Sequence, residues 1–224
     1  MRGAGSVKPT PPQIRPRKKR RGNFHHGDLA EQLALTAASL IESKGHAELS
    51  LKKMAAHLGV TEPSLYRHYA SRDDLLAEVA SRGLVEFLAF TLAAGNAHED
   101  PFDSIRAYGR AYVRYCAQHP GWFRLMFSRF GMEGLMQYPR AVQRLQAIGD
   151  DRATTIALWR RALPPGDERI DDLYRLLWGT ANGLAALVVD RVFQLAQTTE
   201  ARVAAADDSI DLLVESLRFR AQTR

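Results

Sequence analysis

The 224-residue chain is 46% hydrophobic and 25% charged with a net charge of +6, so it is neither collagen-like nor wholly disordered. The longest uncharged run, 176–189, is shorter than the roughly 20 residues of a transmembrane helix, and no apolar stretch follows the first basic residues as in a signal peptide. Cys116 is the single cysteine, which excludes an internal disulfide and fits a cytoplasmic protein without membrane contact.

The excess positive charge lies in one N-terminal segment. Eight of the 31 basic residues and none of the 25 acidic ones lie within residues 1–21. We expect residues 1–22 to form a disordered basic arm that contacts DNA phosphates or enters a minor groove. The arm residues expected to bind DNA are Arg17, Lys18, Lys19, Arg20 and Arg21. The alternative is a tail that only raises solubility.

Apolar residues at helical spacing predict a first helix from about residue 27 to 44. Ser50 is a candidate N-cap for a second helix, which Gly59 ends by taking a positive φ. Thr61 stands where it would cap a third, short helix. We therefore predict a three-helix head over residues 23–70.

Beyond the head, capping and breaking residues divide the chain into longer helices. Ser71 and Asp74 form a capping box for a fourth helix, which we expect to end near Thr91 before a loop. Five more helices are predicted over 101–118, 122–130, 139–163, 167–194 and 207–221. Because no alternating strand pattern appears, we predict an all-α fold of about nine helices, with a helical body over 71–224.

The spacing within Met54–Tyr69 is typical of a helix-turn-helix, whose second helix lies in the major groove of DNA. This geometry places a set of side chains outward or near the DNA backbone: Glu62, Ser64, Tyr66, Arg67, His68 and Tyr69. The alternative is an ordinary helical hairpin. Residues 27–72 contain five acidic and five basic residues, so the head is neutral and depends on the arm for long-range attraction to DNA.

Residues 24–91 resemble the DNA-binding domain of the TetR family of transcriptional regulators, most closely over Met54–Tyr69 and the fourth-helix start Ser71-Arg72-Asp73-Asp74-Leu75-Leu76. The resemblance implies a homodimeric repressor on a pseudo-palindromic DNA operator, released by a small-molecule effector. It implies phosphate contacts from Ser50, Tyr66, His68 and Arg72. It implies candidate base contacts from Lys52, Glu62, Pro63, Ser64 and Arg67. Glu62 has the alternative role of stabilising the helix N-terminus.

The body is rich in aromatic and methionine residues, which suit either an adaptable pocket or a packed core. The segments 119–122 and 173–190 resemble a TetR-family C-terminal class with Trp, His and Gly at this spacing, the WHG class, with Asn182 where His is usual. We predict that the effector contacts Trp122, Phe123, Met126, Phe127, Trp178 and Asn182. The alternative is core packing, and for Asn182 a satisfied buried amide.

The last two predicted helices carry apolar stripes that we expect to form a four-helix dimer interface. The stripes consist of Leu184, Leu187, Val188, Val192 and Leu195, and of Ile210, Leu213, Val214 and Leu217. Gly179 and Gly183 would let a neighbouring helix approach closely, either from the same chain or from a partner. The alternative is packing within one chain only.

Sequence signatures of catalysis are absent: there is no phosphate-binding glycine loop, nucleophile elbow or H-E-x-x-H. We therefore predict no catalytic residues, no cofactor and no metal site. Three alternative functions stay open, namely a basic DNA-binding or architectural protein without a ligand, a transcriptional activator on the same fold, and an α-helical enzyme of another type.

Overall fold

The computed structural model describes residues 26–147, 151–164, 166–192 and 198–222, and these ranges contain eleven α-helices and no strand. The helices are α1 (His26–Lys44), α2 (Leu51–Leu58), α3 (Glu62–Tyr66), α4 (Arg72–Asn96), α5 (Pro101–Gln118), α6 (Pro120–Met126), α7 (Arg129–Glu133), α8 (Pro139–Ala147), α9 (Asp151–Arg160), α10 (Ile170–Val189) and α11 (Thr199–Gln222). The all-α prediction is confirmed. No helix in these ranges is both long and apolar enough to cross a membrane. The predicted basic arm lies outside them.

Local signals set the boundaries of the head helices. The Ser50 hydroxyl accepts a hydrogen bond from the Lys53 backbone N–H at 3.5 Å and begins α2, as predicted. Gly59 ends α2 at φ 69°, in the left-handed region that glycine adopts without steric cost. Thr61 precedes α3 in an extended conformation, but its side chain makes no capping bond, so the predicted cap is wrong. Its carbonyl accepts from the Ser64 hydroxyl at 2.6 Å.

Helix α4 is the element that the head and the body share. The seven consecutive residues 75–81 are buried, which means that neighbouring elements enclose this stretch on every side. The capping box is confirmed: the Ser71 hydroxyl accepts from the Asp74 N–H at 3.0 Å, and the Asp74 carboxylate accepts from the Ala70 N–H at 2.9 Å. The predicted end near Thr91 is wrong, because α4 continues to Asn96.

A close helix contact explains the longer α4. A Cβ added to Gly95 would lie 2.7 Å from a methyl carbon of Leu158 on α9, so the last turn of α4 packs tightly against the body. The sequence around Gly95 has little hydrophobic periodicity, and Leu158, which packs on this turn, is 63 residues away along the chain. The sequence alone therefore does not predict that the helix continues here.

A second tight contact joins α1 to α6. A Cβ on Gly121 would lie 2.2 Å from the Ile41 carbonyl oxygen, so only glycine fits between the two backbones. The Trp122 indole N–H donates to the Ala38 carbonyl at 3.3 Å, and the Glu42 carboxylate accepts from the Trp122 backbone N–H at 3.3 Å. The end of the head's first helix is thereby fixed to the body.

Several predicted helices of the body have different bounds in the structure, and the helix predicted over 167–194 is α10, which runs only from Ile170 to Val189. In place of the single helix predicted over 122–130, the structure has α6, which begins at Pro120, and α7, which begins at Arg129. The Ser128 hydroxyl caps α7 by accepting from the Gly131 N–H at 3.2 Å. The predicted segment 139–163 holds α8 and α9, and residues 148–150 between them lie outside the described ranges.

Helix α11 begins at Thr199, well before the predicted residue 207. Its first turns are held by tertiary contacts, because Arg202 and Ala206 are buried against the body. Further along, Arg110 of α5 pairs with Asp211 of α11, and Arg114 lies 3.4 Å from Asp207. These ion pairs align the two helices, although charge pairs between elements so distant in sequence leave no local signature.

Candidate nucleic-acid interface and body cavity

The short helix α3 exposes a small polar and aromatic face. Leu65 is fully buried and anchors the helix, whereas Pro63, Tyr66 and Arg67 are exposed, Tyr66 by 50%. Among the other predicted base contacts, Lys52 on α2 is exposed and Glu62 and Ser64 are half-buried. Predicted phosphate contacts flank this face, with Ser50 and His68 both half-buried.

Tyr69, which was predicted to lie near the DNA backbone, is buried within the protein. It is 2% exposed, and its hydroxyl donates to the Ala30 carbonyl of α1 at 3.2 Å. Burial raises the pKa of Tyr69 to about 12. The expectation that Tyr69 lies near the DNA backbone is therefore wrong, and its role is to fix the chain after α3 to α1.

Arg72 has a structural role that sequence reasoning missed. Its Nη2 donates to the His46 carbonyl at 2.6 Å and its Nε donates to the Leu49 carbonyl at 2.9 Å. Its Nη1 contacts Asp73 at 3.2 Å. A guanidinium has five N–H donors, so these bonds leave hydrogens for a phosphate. The predicted phosphate contact stays a prediction, but Arg72 also holds the loop between α1 and α2.

Two of the five head carboxylates are engaged away from α3. Glu31 accepts two hydrogen bonds of 2.7 Å from Arg82 of α4, which lower its pKa. Glu42 accepts from the N-terminus of α6, and burial raises its pKa. The head thus has no net charge, but its charges are unevenly distributed. The predicted arm residues 17–21 lie outside the described ranges, and the head carries basic residues of its own.

The six residues predicted to contact an effector lie in two groups. Trp122, Phe123, Met126 and Phe127 belong to α6 and the residue after it, where the Phe127 ring lies 5.5 Å from that of Phe87. Trp178 and Asn182 lie one turn apart on α10 and are half-buried. The amide oxygen of Asn182 accepts from the Tyr112 hydroxyl at 3.0 Å. Their roles in binding an effector stay predictions.

A cavity opens among α5, α9, α10 and α11. Its empty volume is about 290 Å³ when the mouth open to solvent is counted, but its enclosed part has room for at most about one water molecule. The lining residues are Ile105, Tyr108, Gly109, Trp159, Leu177, Thr180, Ala181, Ile210, Leu213 and Val214. None of the six predicted effector residues lines it, though Asn182 follows Ala181 directly.

One wall of the cavity contains a polar group without a partner. Trp159 is 2% exposed, and its indole N–H has no hydrogen-bond acceptor among the described residues. Thr155, one turn earlier on α9, is equally buried, and its hydroxyl also lacks a partner there. Since buried polar groups are nearly always paired, two such groups on one helix face are a feature that needs a physical explanation.

Two helix faces at the surface are apolar or small. On α10, Leu176 is 46% exposed, and a Cβ on Gly179 or Gly183 would have no neighbour within 4 Å in the described part of the chain. On α11, Leu212 and Phe219 are each 67% exposed. The glycines therefore do not pack on the chain's own core. Among the predicted interface residues, Val188, Ile210 and Val214 are buried within the subunit, and Leu195 lies outside the described ranges.

Two sequence families match the chain. The profile of bacterial regulatory proteins of the tetR family matches residues 35–79, which include α2 and α3. The profile of Tetracyclin repressor-like C-terminal domains matches residues 105–217, about half of the chain.

Curated relatives cover the chain in part. It is 28% identical over 106 residues to the HTH-type transcriptional regulator Rv0681 of Mycobacterium tuberculosis, spanning 46% of this chain and 47% of the relative. It is 26% identical over 102 residues to the nucleoid occlusion factor SlmA of Vibrio vulnificus, spanning 43% and 50%. The chain therefore spans about half the length of the curated relatives it matches.

Solved structures share the fold over most of the chain. A protein of unknown function from Rhodococcus sp. RHA1 has a TM-score of 0.67 at 24% identity, over 85% of this chain and 97% of that one. The ketosteroid transcriptional regulator KstR2 of Mycobacterium tuberculosis has a TM-score of 0.59 at 16% identity, over 88% and 96%. At these identities the likeness concerns the fold alone.

We expect Arg72→Ala to lower the Tm of the protein more than Arg67→Ala does. Removing the Arg72 guanidinium leaves two backbone carbonyls without their donor, a loss of roughly 1–3 kcal/mol before solvent compensation, whereas Arg67 is exposed. Thermal denaturation followed by circular dichroism compares the two variants. Equal Tm values would show that Arg72 does not hold the head loop.

Proposed function

Since this chain belongs to the TetR family of bacterial regulatory proteins and is therefore a helix-turn-helix transcriptional regulator, we propose that it is a repressor released from its operator by a small molecule. The observation that carries the DNA-binding part is the α2–α3 pair, in which Gly59 turns the chain and Leu65 anchors α3 with its outer face exposed. A helix presented in this way fits the major groove of B-DNA.

In the proposed DNA complex, α3 reads bases and its surroundings hold the backbone. Lys52, Pro63 and Arg67 are exposed and are proposed as base contacts, together with the half-buried Glu62 and Ser64. Phosphate contacts are proposed for Ser50, Tyr66, His68 and Arg72. We propose that the arm residues 17–21 add salt-dependent attraction and enter the neighbouring minor groove.

The family implies a dimer, and we propose that α10 and α11 form its interface. The exposed Leu176, Gly179 and Gly183 on α10 and the exposed Leu212 and Phe219 on α11 support this placement. Small residues let a partner helix approach closely, and the large ones supply apolar area. A two-fold dimer would set its recognition helices about 34 Å apart, which matches one turn of DNA and a pseudo-palindromic operator.

We propose that the effector occupies the cavity among α5, α9, α10 and α11. Its walls are largely apolar and Trp159 supplies an unpaired N–H, so the fitting ligand is an uncharged, mainly apolar molecule with a hydrogen-bond acceptor. Because the enclosed space is small, a larger ligand must separate α10 from α11 or displace Trp159. A ligand that reaches past the Tyr112–Asn182 bond would meet the predicted residues of α6 and α10.

A second candidate is a DNA-binding protein that acts without an effector. The partial similarity to a nucleoid occlusion factor favours it. Genome-wide binding separates the two candidates, because a repressor would occupy few promoter sites and leave them when effector is present. An activator on the same fold would raise transcription from the site it occupies.

We expect the full chain to select a pseudo-palindromic duplex from a random pool. On that duplex, Arg67→Ala should lose roughly fivefold to a hundredfold in affinity and relax the preference at particular positions, as expected for a base contact. Tyr66→Ala should weaken binding to selected and random duplexes alike. The measurement is a fluorescence-anisotropy titration at several salt concentrations.

The matched control is Arg129→Ala, because the Arg129 side chain is 90% exposed on α7 and pairs only with Glu133 among the described residues. Its affinity should equal that of wild type. Equal affinity of the wild type for selected and random DNA would rule out an operator-specific regulator.

We expect Leu212→Glu to dissociate the dimer, because it places two carboxylates in an apolar contact across the two-fold axis. Light scattering should give about twice the 25.0 kDa chain mass for wild type and the single-chain mass for the variant. Met136→Glu, at a side chain of similar exposure outside α10 and α11, should stay dimeric. A dimeric Leu212→Glu variant would place the interface elsewhere.

We expect uncharged ketones to raise the Tm of the protein more than hydrocarbons or carboxylates of the same skeleton, because only the ketone accepts from Trp159 without burying a charge. Trp159→Phe should weaken ketone binding roughly fivefold, as for one lost hydrogen bond. Trp178→Phe tests the alternative site among the six predicted residues. Loss of the ketone effect in Trp178→Phe alone would move the site to the six predicted residues.

A further inference from the structure

Helix α8 of the body contacts the chain directly after the recognition helix. The Arg140 Nη1 donates to the His68 carbonyl at 2.7 Å, and the same guanidinium lies 5.3 Å from the centre of the Tyr69 ring. Both partners follow α3 within three residues. One side chain of the body therefore holds the end of the element that reads DNA.

One turn further along α8, Arg144 enters a buried charge network. Its Nη2 donates to the Glu78 Oε1 at 2.6 Å, and the Arg82 Nε donates to the same oxygen at 2.7 Å. Arg82 uses its two other nitrogens to bind Glu31 of α1. The network thus runs from α8 through α4 to the first helix of the head.

The burial of Glu78 makes this network sensitive to geometry. Glu78 is 4% exposed, and its second carboxylate oxygen is buried without a partner among the described residues. A buried carboxylate depends on its remaining cations, so α8 and α4 are held at one spacing. Helix α8 is itself fixed, because Ala141 between the two arginines is fully buried in the core.

We propose that Arg140 and Arg144, which we call the α8 brace, are positioning residues that fix the angle between the recognition helix and the body. This inference rests on the proposed function, since it concerns how α3 meets DNA. Neither arginine needs to touch DNA. They act through Tyr69, His68 and Glu78, and Tyr69 in turn is bonded to α1.

The brace affects specific and random DNA differently. Base readout in a dimer requires both recognition helices in their grooves at one spacing, whereas random DNA is held mainly by phosphate contacts that tolerate other angles. A head that turns more freely loses more conformational entropy when it binds at the one angle that base readout requires. The protein's affinity for the operator therefore falls more than its affinity for random DNA. A residue that only stabilised the fold would leave this ratio unchanged.

The test uses the full chain, a duplex selected by wild type from a random pool, and a random duplex of equal length, below the Tm of every variant. Arg140→Ala should lower the affinity for the selected duplex about tenfold, because each of the two subunits of the dimer loses one such contact. The affinity for the random duplex should fall less than about twofold. Arg144→Ala should show the same pattern. Arg140→Lys, which keeps the charge and a donor, should retain most of the affinity, and Arg129→Ala all of it.

A second measurement does not involve DNA. Hydrogen exchange of the backbone amides at 65–69 should be faster in Arg140→Ala and unchanged in Arg129→Ala.

The outcomes separate the two proposals. Wild type that selects no duplex refutes the proposed function and the brace with it. Wild type that selects one, together with Arg140→Ala that keeps its affinity or loses it equally on both duplexes, refutes the brace alone. A rise in affinity for Arg140→Ala would also refute it, because the brace would then hold the head away from its binding angle.

Discussion

The arrangement of this protein depends on a carboxylate buried where three helices meet. Glu78 lies in the enclosed N-terminal third of α4 and receives hydrogen bonds from Arg82 of the same helix and Arg144 of α8. An unpaired charge at this depth would be costly, so the three side chains must keep their spacing in the folded protein. Because Arg82 also binds Glu31 of α1, this requirement orients the head and the body relative to one another.

The contact between α1 and α6 adds a second fixed point near the C-terminal end of α1. Gly121 lets the two backbones touch, and Glu42 accepts from the first N–H groups of α6. Two acidic residues of the head are thereby used in contacts with α4 and α6. These contacts lie away from the α3 face on which Arg67 is exposed. Charge counted along the sequence does not reveal such an arrangement.

Features with a local cause were predictable from the sequence, and features with a distant partner were not. Ser50, Gly59 and Ser71 set helix ends through bonds within a few residues, so the head was predicted closely. The α4 end at Asn96 depends on Leu158, and the indole of Trp122 binds the distant Ala38. The cavity and the roles of Arg72 and Arg140 were missed for the same reason, since an arginine in sequence does not show which carbonyls it will reach.

The head–body contacts differ in how easily an effector could change them. The two contacts differ in burial: Glu78 is 4% exposed and binds both Arg82 and Arg144, whereas Arg140 is exposed and holds the His68 carbonyl and the Tyr69 ring. Effector coupling is typically about 1–3 kcal/mol. Under the proposed function, an effector would act more readily on the exposed Arg140 contact, because releasing Arg144 would leave the buried Glu78 carboxylate with one cation fewer. The buried network would then act as the pivot, and the exposed Arg140 contact would decide how far the head turns about it. Helix α9, which lines the cavity with Trp159, is the next helix after α8 along the chain.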